Sequence, residues 1–189
     1  MDTRAHLLER ALELFAARGY ESVGVQEIAT TAGVTKPSLY HHFGSKYGLL
    51  EALLEQHFSP LLADLELASA YRGDLPLTLF KVARTLLHFA QAHPTFHRLQ
   101  IALRHAAPES EAQRAIAPVL RRLHHTLAAL FASVVADHGN LRGRHDLFAV
   151  TFVAMVNAHL VATLDTSTTL DDDAVRLAVK QFMYGIYAL

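Results

Sequence analysis

The chain has 189 residues, with 17 Lys+Arg against 18 Asp+Glu, 13 His and no Cys. With 51% apolar residues it can build a core, and its length fits one ordinary domain or a small module joined to a larger one. The lack of cysteine excludes a disulfide framework, a thiol nucleophile and thiolate metal ligation, and the balanced charge speaks against a broad basic surface for nucleic acid.

The N-terminal stretch MDTRAHLLERALELF mixes acids and bases in an amphipathic pattern, which predicts a helix and not a signal peptide. Leu7, Ala11, Leu14 and Phe15 mark one face of that helix, and Gly19 is placed to end it. A short helix follows over about 25–32, a break at Gly33-Val34-Thr35, and a second short helix over about 36–43. Gly44-Ser45 interrupts again, and Ser45 is positioned to cap a longer helix from Lys46 that Pro60 should kink or divide. Further helices are predicted over about 76–92, 94–105, 111–137, with a bend at Pro118, and 144–164. Asp165 to Thr169 reads as a loop, and a ninth helix begins near Leu170 or Asp171 with Asp171, Asp172 and Asp173 at its positive end. The whole is all-α, with about nine helices.

From Leu147 to Leu164 the chain carries no charge, which is the lower edge of what spans a bilayer. Thr151, Asn157, His159 and Thr163 interrupt it and acids stand at both edges, so it is read as a helix buried between helices or in a dimer, with no membrane partner.

The pair of short helices has the helix-turn-helix plan, whose second helix enters the major groove of DNA. Ile28, Ala29 and Ala32 face inward from the first helix, Gly33 permits the turn, Val34 plugs the junction, and Leu39 and Phe43 face back from the second. Thr35 is a good N-cap and Pro37 is tolerated in the first turn. That leaves Lys36, Ser38, Tyr40, His41 and His42 outside, all able to meet phosphates or base edges.

The phrase GVTKPSLYHHFGSKYGLL, with GYESVGVQEIATTA and ALELFAARGY before it, resembles the signature of the tetracycline-repressor-like (TetR) family of transcriptional regulators. The resemblance covers about the first fifty residues. It implies a three-helix DNA-binding domain over residues 1–48 and a helical ligand-binding and dimerisation domain over 49–189. By that resemblance the DNA contacts are Gln26, Thr35, Lys36, Pro37, Ser38, Tyr40, His41, His42 and Lys46. The chain departs from the family at Val23 and Gly24, where a hydroxyl usually caps the second helix, so Glu27 has no capping-box partner. It also departs at Tyr47-Gly48, where glycine in a first helical turn costs up to ~1 kcal/mol against alanine.

The resemblance further implies a homodimer on a palindromic operator. Its best apolar candidates are the eighth and ninth helices, with Phe148, Phe152, Asn157, Val175, Val179, Phe182 and Met183 at the interface and Ile186 and Tyr187 beyond. A small-molecule effector site is expected among Phe58, Leu62, Phe96, Gln100, Leu103, His124, Leu127, Phe152, Met155 and His159, where polar groups punctuate apolar faces. The functional expectation is a cytoplasmic, non-enzymatic regulator without cofactor or metal, a repressor released by its effector. The alternative is a His-rich helical metal-binding or metal-sensing protein. It lacks both a Glu-x-x-His pair and an HExxH motif, and no nucleophile pairs with a base.

Charge by region gives five bases and five acids in residues 1–48. Groove contacts and dimer avidity, more than a basic field, should therefore hold the DNA.

Overall fold

A computed structural model describes residues 2–166 and 171–185, and among these it holds nine α-helices and no strand. They are α1 (Thr3–Arg18), α2 (Val25–Thr31), α3 (Lys36–Phe43), α4 (Lys46–Ala68), α5 (Leu75–Ala92), α6 (Pro94–Arg104), α7 (Glu111–Ser133), α8 (His145–Thr166) and α9 (Asp172–Tyr184). Ser167 to Leu170, Ile186 and Tyr187 lie outside the described residues.

Three boundaries differ from expectation. Pro60 does not divide α4: the helix runs through it, with Phe58, Leu61, Leu62 and Leu65 buried on either side. That burial offsets the donor the proline removes. α7 stops at Ser133, and the last turn expected of it is a 3-10 turn over Val134–Ala136, a common way for a helix to tighten at its end. α8 takes in Asp165 and Thr166, which were expected in a loop.

The chain forms two compact units. The first comprises residues 1–60 and 93–120. Here α1 lies against α6 and α2, and α2 against α3. Leu7, Leu8, Phe15, Ile28, Leu39, Leu49, Phe58, Phe96 and Ile116 make its core. Asp2 caps α1 by accepting from the Arg4 amide at 3.0 Å, and Gly19 ends it with φ +79°. The second unit comprises residues 61–92 and 121–189, where α5 packs on α9 and α8, and α8 on α9. Its centre is an aromatic cluster of Phe131, Phe148, Phe152 and Phe182, with ring centroids 5.1–6.3 Å apart.

Candidate nucleic-acid interface

The expected helix-turn-helix forms between Val25 and Phe43. Ile28, Ala29 and Leu39 are fully buried and hold α2 against α3. Gly33 takes φ +64°, the left-handed conformation the turn requires, and donates to the Thr30 carbonyl at 3.0 Å. The Val34 amide donates to the Ala29 carbonyl at 2.9 Å, closing the turn. Thr35 Oγ1 accepts from the Ser38 amide at 3.4 Å, the expected N-cap of α3.

Packing Leu39 inward fixes what α3 shows to solvent. Lys36, Pro37, Tyr40, His41 and His42 are exposed, and Ser38 is half-buried. Tyr40 is 43% exposed, unusual for so large an apolar ring, and the Lys36 ammonium stands 5.9 Å from its centroid. The His41 and His42 rings meet edge to face at 5.5 Å. Thr35 is exposed beside them, as is Gln26 on α2, whose Nε2 donates to Thr30 Oγ1 at 3.4 Å.

Lys46 is the exception among the expected DNA contacts. Its ammonium is turned into the first unit, donating to the carbonyls of Tyr20 at 3.1 Å and Val23 at 3.3 Å, and lies 4.1 Å above the Tyr20 ring. Two carbonyls and a ring face satisfy it there. Tyr20 is itself buried, and its hydroxyl donates to Glu111 Oε2 at 2.6 Å. Burial, then that hydrogen bond, push its phenol well above its ordinary range, which keeps it a neutral donor.

The arginines of the segment also have partners. Arg10 pairs with Glu13 at 2.9 Å and Glu9 at 3.1 Å, and Arg18 with Glu27. Glu27, which has no capping box to join, is used in that pair, while Gly24 caps α2 with no side-chain hydrogen bond. Arg4 lies over the Phe43 ring at 5.4 Å.

A family model for "Bacterial regulatory proteins, tetR family" matches residues 7–53, the segment that builds this surface. Over this segment the chain is similar to TetR-like transcriptional regulators. It is 29% identical over 185 residues to the HTH-type transcriptional activator FasR of Mycolicibacterium smegmatis, covering 97% of this chain and 82% of that one. Against other curated regulators the likeness covers less than half of their length. In fold it is similar to the TetR family transcriptional regulator PfmR of Thermus thermophilus, with TM-score 0.75 and 24% identity over 98% of each chain. It is similar also to FadR of Bacillus subtilis, solved in complex with stearoyl-CoA, with TM-score 0.79 and 17% identity over 96% of this chain and 98% of that one.

The residues expected at the dimer interface and effector site take these places in the structure. Phe152, Val175 and Val179 are buried inside the second unit, and Phe148 and Phe182 join its aromatic cluster. They hold the chain's own helices together, and Phe148 and Phe182 stay half-buried. Asn157 and Met183 are half-buried. The large apolar side chains left in solvent are others: Leu147, Val150 and Val161 on α8, and Leu177 and Tyr184 on α9. No periodicity could select that face, because α8 is apolar on every side. Over His145–Ala162 it is long and apolar enough to cross a membrane, with mean hydropathy 1.4, yet 22% of it is buried in the chain.

Of the expected effector contacts, Phe58, Phe96 and Leu103 are core of the first unit, and Leu62, Leu127 and Phe152 core of the second. Gln100, Met155 and His159 are half-buried. His124 Nε2 lies 3.2 Å from Asp146 Oδ1, and the imidazole is 39% exposed. A groove of about 390 Å³ in the second unit is lined instead by residues of α5 and α9, among them Phe80, Arg176, Val179 and Lys180. Among the described residues, no three His, Asp or Glu side chains are grouped to hold a metal ion.

Proposed function

We propose that this chain is a cytoplasmic, ligand-responsive repressor that binds a palindromic operator as a homodimer and leaves it when an effector binds. The observation that carries the reading is the outer face of α3. Leu39 is fully buried, while Lys36, Pro37, Tyr40, His41 and His42 all stand in solvent on a helix whose turn and N-cap are formed. Exposed groups of that chemistry on a second helix-turn-helix helix are what major-groove reading uses. Gln26, Thr35 and Ser38 complete the surface. One such helix reads few base pairs, and two on a two-fold axis read an inverted repeat with half-sites about 34–36 Å apart. The DNA-binding segment is assigned to residues 1–48 and the regulatory segment to 49–189.

The dimer is assigned to α8 and α9, on the face of Leu147, Val150, Val161, Leu177 and Tyr184, with Asn157 and Met183 at its margin. Large apolar side chains exposed together on two neighbouring helices are what an association surface normally covers. Dimerisation accounts for the membrane-like composition of α8 without a membrane.

The effector is proposed to be an apolar or amphipathic small molecule bound in the regulatory segment. The half-buried Met155 and His159 of the second unit are offered as contacts, and an acyl chain is the first chemistry to try because FadR holds stearoyl-CoA. An effector acts only by binding the two states with different affinity, and DNA must then weaken it reciprocally. α4, which starts beside the turn of α3 and continues to Ala68, is the element whose shift would respace the recognition helices. Titration of operator duplex with and without stearoyl-CoA tests this. Equal operator affinity in both supports no release by acyl chains, and equal affinity across a wider ligand panel ends the release mechanism. Transcription from an operator-bearing promoter, lowered by the protein, tests repression; raised transcription makes it an activator, the activity for which FasR is named.

A further inference from the structure

The N-terminus of α2 is the weak point of the helix-turn-helix. Gly24 offers no side-chain acceptor, and Glu27 is drawn away to Arg18. The first amides of a helix left without a cap normally cost stability and definition at that end. Yet the loop entering α2 is anchored. Lys46, the first residue of α4, donates to the carbonyls of Tyr20 and Val23, the latter immediately before the N-cap. Tyr20, whose ring carries the ammonium at 4.1 Å, is held from its other end by Glu111 at the start of α7. Its ring also meets Phe15 at 5.1 Å. Val23 is 1% exposed, so the carbonyl it presents is fixed by packing.

We propose that Lys46 is a positioning residue of the DNA-binding surface: it clamps the loop that enters the uncapped α2, with Tyr20 and Glu111 as its anvil, and so fixes how α2 and α3 are presented. The inference rests on the DNA-binding reading for its consequence and on the hydrogen bonds of Lys46 for its mechanism. It separates Lys46 from Lys36, the cation that α3 does turn outward.

A phosphate contact and a positioning clamp differ in one measurable respect. Removing a phosphate-binding cation lowers the slope of log K against log salt by about 0.9 for each subunit that contacts the DNA, because one counterion fewer is released per subunit. Removing a clamp lowers affinity at every salt concentration and leaves that slope alone. The probe is a duplex selected by the wild-type protein from a random pool. Lys46→Met, which keeps most of the stem, is expected to weaken binding about tenfold with the wild-type slope. It should also speed amide hydrogen exchange over residues 20–31. Lys46→Gln, which restores a neutral donor to the carbonyls, is expected to recover part of the affinity and of the protection, and serves as the measurable variant if Met does not fold. A slope shallower by about 0.9 for each subunit on the DNA, or exchange over 20–31 unchanged in Lys46→Met, overturns the proposal. If the wild-type protein selects no duplex, the DNA-binding reading falls, and the exchange comparison still decides whether Lys46 clamps the loop.

Discussion

A Cβ on Gly48 would stand 2.2 Å from the carbonyl oxygen of Phe43. No neighbouring atom can yield cheaply there, because the oxygen belongs to the backbone that ends α3. Gly44, at φ +72°, and Ser45, whose Oγ accepts from the Gly48 amide at 2.9 Å, turn the chain so tightly that α4 starts against the end of α3. Helix propensity alone says that Gly48→Ala stabilises by up to ~1 kcal/mol. The close approach says the reverse: the variant should lose about 1–3 kcal/mol, as overpacked sites do. Chemical denaturation of the two proteins decides the sign, and a gain would mean that the turn relaxes freely.

Lys36 and Tyr40 are the outward pair of α3, so their removal should cost DNA binding and little else. Lys36→Ala should weaken binding and reduce the salt slope by about 0.9 for each subunit that contacts the DNA. Tyr40→Ala should weaken it by one to two orders of magnitude with the slope kept, about 1–3 kcal/mol for a groove contact. Both variants should keep wild-type helicity by circular dichroism. Undiminished binding in both would remove α3 from the interface.

His97 gives the first unit an acid-sensitive point. It is 4% exposed, its Nε2 has no hydrogen-bond partner, and burial holds its pKa below the ordinary histidine value. His57, stacked on Phe96 at 4.2 Å, is lowered too, by burial first and then by the charge of His93. A base depressed in the folded state takes up its proton on unfolding. Its neutral form is therefore no burden above the unfolded value near ~6.5, and stability falls as pH drops below that towards the folded value. Stability should decline between pH 7.5 and 5.5, by at most ~1.4 kcal/mol per pH unit for each such group. His97→Leu should flatten part of that decline in urea titrations at the two pH values. An unchanged pH slope would show that His97 protonates without cost.

The face of α8 should govern association. Val150→Glu or Leu147→Glu places a carboxylate on the proposed dimer surface and should weaken the dimer at least a hundredfold, read by sedimentation. Leu67→Glu is the control: Leu67 is 78% exposed on α4 and should leave the dimer intact. Dissociation by the control alone would move the interface off α8.

Much of this was legible in the sequence because it is local. Periodicity and capping gave the helices, and Gly33, Thr35 and Leu39 placed the turn, cap and core of α3 where the structure has them. What was not legible depended on which of two faces a residue turns. Lys46 had the spacing of a phosphate contact, and its inward turn depends on carbonyls of Tyr20 and Val23 more than twenty positions back. Phe152 and Val179 are as apolar as Leu147 and Val150, and in a helix apolar all round only the neighbouring helices decide which are core. His124 sat on an apolar stripe, but Asp146 on another helix captures it. Gly48 looked like a flaw until Phe43 supplied the reason for it.

The central claim is that α3 reads DNA as one of two copies on a two-fold axis. Selection of duplexes from a random pool by the wild-type protein tests it most directly. The account predicts enrichment of an inverted repeat whose half-sites are centred about one helical turn, or a multiple of it, apart. Enrichment of no sequence, with binding no tighter than to unselected duplex, would contradict it.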